Sequence, residues 1–501
     1  MELTATRADE SVLIFGNGGR HVDPKAGLAL FGPSGHAKGG GTPKSISVGI
    51  VGPEDATEAA RTWLESLNSP VDNDKDNPRL YPTFPGIPVA FGATLECSEN
   101  LIHNIPPKRL ALALDQEHKR AVNSCAALFT EGLEILKAKA GRPNVVVYAW
   151  SDPIINKCVG GSASDSLPPA ERRFRHQLIS QVTAGQTRFF PLDDDAEQLL
   201  QSGKSGWNLH AQCKVEAMDH SRRLPIQILM PRTYGGESQR SDPGTPWNIS
   251  TALFYKAGGI PWRPADPEAS TCYVGIEFFR DKTARDKRMR TCVAQVFSDE
   301  GEGLVLRGSQ FEHTGSLRRT PRMNEKVAET LVSDAVEMFR KHHHGQAPVR
   351  VVVHKSSYWV KEERRGANAA LEEVETHDLV SIQKHRTIQF LRHGTQPPVR
   401  GTLVTLNTSQ FSLYTHGYVP YLSAYPGMRV PRPLLVTRNE GSTGPMKLAS
   451  EMMKLTKLNW NAARFSSQMP CTLAYADIVK EVLSQVPPDM EDISEDYSSY
   501  M

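Results

Sequence analysis

Apolar and polar positions along this chain fall into two alternating rhythms. Short, nearly continuous apolar runs stand at Ser45–Gly52 (SISVGIVG), 144–150 (NVVVYAW) and 224–230 (LPIQILM), which predicts strands buried on both faces. Between them, apolar residues recur at helical spacing over Ala56–Leu67, Gln116–Lys139 and Ser205–Met218, and a short helix over Ile249–Lys256 is stopped by Gly258 and Gly259. Strands that alternate with helices in this way predict an α/β layer. Further on, the rhythm changes to three strands in succession, 271–280, 291–297 and 304–312, joined by short polar turns. A helix over Asn324–His343 follows, with Val327, Leu331, Ala335, Val336 and Phe339 on one side, and then the buried strand 348–354, PVRVVVH.

Three antiparallel strands, a helix, a strand and then more helix and strand is the order of an RNase H-type domain. The predicted organisation is therefore a linker-like segment over 1–45, a first α/β domain over 46–255, a second over 256–488 and an acidic, flexible tail over 489–501 behind Pro487 and Pro488. A length of 501 residues suits two large domains, and no period of the solenoid kind repeats.

Charge sharpens the division. Residues 256–488 hold 32 Lys and Arg against 23 Asp and Glu, whereas residues 1–255 hold 26 against 28, so the overall +2 hides a basic second half suited to a polyanion. Seven cysteines, scattered and without a C-x-x-C pair, point to buried thiols in place of disulfides or zinc. No leader and no membrane-spanning run is evident, so a soluble, cytoplasmic protein with no membrane partner is expected.

The candidate chemistry lies around the end of the first domain. His210 and Lys214 are one helical turn apart and share a face. Gln227 on the next strand and Lys256 on the next helix can close a cationic pocket for an anion. An H-x-x-x-K pair alone is usually a solvated helix face; the ordered set on helix, strand and helix favours a terminal phosphate. Gly203-Lys204-Ser205 has Gln198 where a Walker loop needs glycine, and His342–His344 end a helix whose negative pole they offset.

The runs WNLHAQCK, LPIQILMPRT and ALFYKAGGIPWR resemble the MID domain of Argonaute proteins, which has a Rossmann-like α/β fold. VVVHKSSYWVKEE, LYTHGYVPYLSAYPGMRVPRPLLV and LTKLNWNAARFSSQMPCTLAYADIVKEVL resemble PIWI-domain segments of the short prokaryotic Argonautes, which lack a PAZ domain. FGNGGRHVDPKAGLALFGPSG is similar to the linker before MID. The resemblance implies that His210, Lys214, Gln227 and Lys256 bind the 5′ phosphate of a guide, with Mg²⁺ beside it and the Met501 carboxylate as a further ligand in some relatives. It also implies a guide RNA, a single-stranded DNA target, and a partner that joins an APAZ region to a TIR, sirtuin-like or nuclease effector in defence against plasmids or phage.

PIWI nucleases hold two metal ions with acidic or His ligands. Their first Asp ends a G-I-D strand, where this chain reads Gly275, Ile276, Glu277; a second Asp follows V-V-x-H-K, where it reads His354, Lys355, Ser356. The stretch 459–465, NWNAARF, offers no carboxylate, and Glu300 and Glu302 read as a solvated hairpin. The expectation is a protein without guide-directed cleavage; the alternative is a guided nuclease that uses Glu277 with unconventional ligands. Arg285, Arg288, Arg290, Arg318 and Arg319 are expected to line a nucleic-acid channel through phosphate contacts.

Overall fold

The computed structural model describes residues 3–36, 42–73, 75–159, 207–218, 224–235, 242–265, 270–280, 289–297, 303–311, 321–384, 388–427, 430–487, 490 and 493–501. The first domain is a parallel sheet. Its central strand β5 (Ser45–Gly52) is flanked by β6 (Thr94–Glu96) and β7 (Ile102–Asn104) on one side and by β8 (Val145–Ala149) on the other, and β9 (Ile226–Leu229) completes it. All five residues of β8 are buried, as expected for a parallel strand covered on both faces. Helices α2 (Glu54–Ser66), α3 (His118–Lys137), α4 (Leu209–Met218) and α5 (Gly244–Lys256) accompany the sheet. The helix expected from Ile249 starts at Gly244, because the turn at Pro243 and the buried Trp247 extend it backward.

The second domain is built on one large sheet. Strands β12 (Thr271–Arg280), β13 (Met289–Phe297) and β14 (Gly303–Phe311) form an antiparallel meander. Beside β12, β15 (Arg350–Lys355) and β16 (Thr376–Lys384) run parallel to it, and β19 (Leu434–Glu440), β18 (Gln410–Leu413) and β17 (Thr402–Thr405) extend the sheet. Helices α6 (Glu325–His342), α7 (Lys361–Ala370), α8 (Pro445–Leu455) and α9 (Cys471–Leu483) complete the domain. Helix α9 crosses β12 at Gly275, where a Cβ would lie 2.1 Å from the Thr472 carbonyl oxygen, so glycine is required by this close approach.

Both chain ends differ from expectation. The N-terminal segment is not a detached linker: β1 (Thr4–Arg7) is the outermost strand of the second domain's sheet, paired with β17. Strands β2 (Leu13–Ile14) and β3 (Arg20–His21) form a hairpin that joins β11 (Arg263–Pro264), and β4 (Gly35–His36), after helix α1 (Pro24–Phe31), pairs with β10 (Gly259–Ile260). Glu10 is anchored between Arg400 and Lys457 at 3.0 and 2.9 Å.

The acidic tail is not loose either. Val305 N–H donates to the Glu495 carbonyl at 2.7 Å, and the Tyr497 ring stacks on Tyr475 with centroids 3.6 Å apart. Tyr497, Tyr500 and Met501 are buried. The physical reason is that these apolar groups outweigh the surrounding acids, one of which, Glu495, pairs with Lys341 at 3.3 Å. Among the described residues, no helix is long and apolar enough to cross a membrane.

Candidate nucleic-acid interface

Helix α4 begins at Asn208, whose side-chain oxygen accepts the Ala211 N–H at 2.8 Å while its amide donates to Glu481 of α9 at 3.2 Å. This cap ties the helix to the second domain and sets its rotation. Lys214 then extends toward β9 and donates to the Ile226 carbonyl at 2.8 Å and to the Met501 main-chain oxygen. Lys256, at the last position of α5, donates to Gln227 Oε1 at 2.6 Å and to the same Met501 oxygen at 3.1 Å. His210 stands close enough for both lysines to act on it. All four residues singled out by sequence therefore meet in one place.

The electrostatics of that place are unusual. Lys214 and Lys256 are almost fully buried. Burial pushes Lys214 down to about 7 and Lys256 well below the usual lysine range, the latter helped by Lys214 itself. His210 is lowered to about 3, first by burial and then by the two lysines, so its imidazole is neutral. Among the described residues, no Asp or Glu side chain bonds to either ammonium. Such a pocket gains most from an anion that brings more than one negative charge.

One contributor was not evident from the sequence, the Ile226 carbonyl, whose side chain gives no sign of the backbone's role; the Met501 oxygen, expected beside a metal ion, accepts from both lysines. The tyrosines at 497 and 500, set in an otherwise polar tail, were the available signal for a docked end. Gln227 also has a different part from the one expected, since its oxygen accepts from Lys256 and its amide donates to the Ile228 carbonyl at 3.2 Å.

At the second candidate position, β12 and β15 run parallel with Ile276 opposite Lys355, which brings Glu277, inside β12, beside Ser356 just past the end of β15. Glu277 lies 3.8 Å from Lys480 of α9. His354 turns to Thr472 at 2.9 Å and is held near 3 by burial. Lys355 is sealed against Glu363 at 2.5 Å, and that carboxylate also accepts the Met323 and Val360 N–H groups at 3.0 Å each. Between 459 and 465 the turn is held by Asn459, which accepts the Asn461 N–H at 3.1 Å. Among the described residues, no group of three or more His, Cys, Asp or Glu side chains is arranged to hold a metal ion. Glu300, Glu302, Arg285, Arg288, Arg318 and Arg319 lie outside the described residues, and Arg290 is placed only through its backbone, opposite Phe279.

The architecture has solved counterparts. The structure of Clostridium butyricum Argonaute bound to a guide DNA and a 19-mer target DNA aligns with a TM-score of 0.63 at 13% identity, over 99% of this chain and 55% of that one. The crystal structure of Drosophila Piwi aligns with a TM-score of 0.54 at 14% identity, over 99% of this chain and 56% of that one. The chain thus spans a little over half the length of these relatives and has the fold of their MID and PIWI domains. A search of the curated proteins gives no match. Residues 211–486, more than half of the sequence, match the Piwi domain model, and the chain belongs to the Piwi-domain family.

Proposed function

We propose that this protein is a short Argonaute without a PAZ domain that holds an RNA guide by its 5′ phosphate at His210, Lys214, Gln227 and Lys256 and recognises complementary single-stranded DNA. One observation carries the reading: two buried lysines converge on a single oxygen and, among the described residues, no acidic side chain neutralises them. A phosphate monoester supplies both the charge and the acceptor oxygens. Sequence would be read by base pairing, with the protein contacting the backbone, a logic other guided systems share. The bound guide and target in the Clostridium butyricum structure support this direction.

The reading includes a silent PIWI domain. Glu277 faces a lysine, Ser356 provides no carboxylate, and Lys355 is engaged with Glu363. Recognition is then reported by a separate APAZ-containing effector, of the TIR, sirtuin-like or nuclease kind, as the family resemblance implies. A guided nuclease that uses Glu277 is the competing reading.

Magnesium takes oxygen donors. Among the described residues the pocket holds three, Gln227 Oε1, the Ile226 carbonyl and the Met501 oxygen, each bonded to lysine in this structure. The set fits the ion once a phosphate adds its own oxygens, with Met501 as the protein ligand. Bound there, magnesium would offset repulsion between the phosphate and the Met501 carboxylate.

The deciding measurement compares 5′-phosphorylated with 5′-hydroxyl guides of one sequence. Tighter binding of the phosphorylated strand is expected; equal affinities remove the pocket's role. Incubating guide-loaded protein with complementary DNA or RNA and Mg²⁺ or Mn²⁺ should leave the target whole, and a product cut at one central phosphodiester would establish the nuclease reading instead.

A further inference from the structure

Soon after Lys256 the chain crosses the N-terminal segment in a small three-stranded sheet. Strand β11 pairs with β2 so that Arg263 lies opposite Ile14, and β2 pairs with β3 so that Ile14 lies opposite Arg20. Cross-strand partners share a face. Leu13, Pro264 and His21 therefore turn to one side, where Leu13 and Pro264 are buried, while Arg263, Ile14 and Arg20 turn to the other. The hairpin between β2 and β3 closes on Asn17 and Gly18 at φ 55° and 73°, the left-handed pair that an Asn-Gly turn adopts readily.

Turn and sheet bound a cleft of about 350 Å³ lined by Arg263, Ile14, Pro264, Asn17, Gly18 and Ser34. Arg263 is half-buried there, and its Nε is enclosed without an acceptor. Among the described residues, no carboxylate lines the cleft. A desolvated guanidinium N–H without a partner is costly, and native proteins leave few such groups unmatched. The Asn17 amide and the Ser34 hydroxyl border the same space. Three donors of different kinds suit the spread oxygens of a phosphate better than the two in-plane oxygens of a carboxylate. Ile14 offers an apolar surface for the carbons of an attached sugar, and the volume is at the lower end for small-ligand sites.

We propose that this cleft, where unpartnered Arg263 faces the Asn17–Gly18 turn and Ser34, is a second anion site that takes a phosphate group with its sugar. The phosphate comes either from a free nucleotide or from an internal phosphodiester of a bound strand. The strand source rests on the guide-binding reading above; the nucleotide source does not.

The test titrates the full-length chain with AMP by calorimetry and, separately, with a 5′-phosphorylated RNA across a salt series. Arg263→Gln and Ser34→Asp are compared with the Lys214→Ala/Lys256→Ala double variant, and melting curves confirm folding. For a nucleotide site, AMP affinity falls at least about tenfold in both cleft variants and stays within about threefold in the lysine double variant. For a strand site, AMP is indifferent to the cleft variants. Arg263→Gln then lowers the slope of log K against log salt for RNA by about 0.7, the value of one lost phosphate contact on a single strand. Should Arg263→Gln not fold, Ser34→Asp at the rim must still weaken one of the two ligands. If AMP and RNA both bind the cleft variants as they bind the unaltered chain, or if AMP is indifferent and RNA binds none of the proteins, the proposal is overturned. Loss of RNA binding in every protein with AMP still dependent on Arg263 would end the guide reading and leave this site standing.

Discussion

The pocket at Lys214 and Lys256 and the neighbourhood of Glu277 and Ser356 use the same materials, buried cations beside parallel strands. They differ in how the charge is closed. Lys355 has its counter-ion within the fold, Glu363 at 2.5 Å, and the neighbouring Arg350 is clasped by Asp378 and Glu451 at 2.7 and 2.5 Å. Among the described residues, Lys214 and Lys256 have Gln227, the Ile226 carbonyl and one Met501 oxygen, and no acidic side chain. A charge satisfied internally is a structural element. A charge without a side-chain counter-ion invites its partner from outside.

The largest effect expected from this contrast is on stability. Lys355→Met leaves Glu363 buried without its cation and should cost about 3–5 kcal/mol, read from urea unfolding. Lys355→Met combined with Glu363→Leu should recover most of that loss. A single variant as stable as the parent would mean the pair is not closed as described.

Lys214→Ala with Lys256→Ala should act on recognition more than on folding. Each charged hydrogen bond to the phosphate contributes about 1.5–3 kcal/mol, so the preference for a 5′-phosphate over a 5′-hydroxyl guide should shrink by roughly 100-fold or more. An unchanged ratio of the two dissociation constants would erase the difference between the regions.

The same lysines predict a pH dependence. Lys214 is lowered from the ordinary 10.5 to about 7 in the fold, so its protonation opposes folding. Stability should rise as pH climbs from about 7 toward the unfolded value, where the unfolded chain holds a proton the folded one has lost. An incoming phosphate reverses this by favouring the ammonium. Binding therefore takes up a proton, and phosphate preference should weaken by up to roughly tenfold per pH unit above about 7. His210, Lys256, Cys213 and Met501 surround this lysine, and calorimetry in buffers of different ionisation enthalpy separates its proton from theirs when repeated on Lys214→Met. Identical heats in all buffers would contradict the assignment.

The smallest effect belongs to Lys480. Its contact with Glu277 is long, 3.8 Å, and a third of its side chain is exposed, so Lys480→Met should change stability by under about 1 kcal/mol. A larger loss would show that Lys480 supports β12 more than this geometry allows.

Much of the architecture was legible because it depends on local periodicity. The strand at Ser45–Gly52 and the meander from Thr271 follow from apolar runs that two covered faces require, and helix α6 from its capping Asn324, whose side chain accepts the Val327 N–H at 2.9 Å. The order His210, Lys214, Gln227, Lys256 was also legible, since helix and strand geometry fix which way each side chain leaves the backbone. What the sequence by itself determined is thus the set of elements, the α/β character of the two domains and four polar residues that the fold brings together.

Only the tertiary structure decided which charges are left open. Lys355 and Lys214 read alike along the chain, and Glu363 on helix α7 became the partner of one. The folded-back tail, the strand β1 added to a distant sheet and the unpartnered Arg263 likewise depend on residues hundreds of positions apart. Burial and electrostatic pairing act through space, and no periodicity along the chain records them.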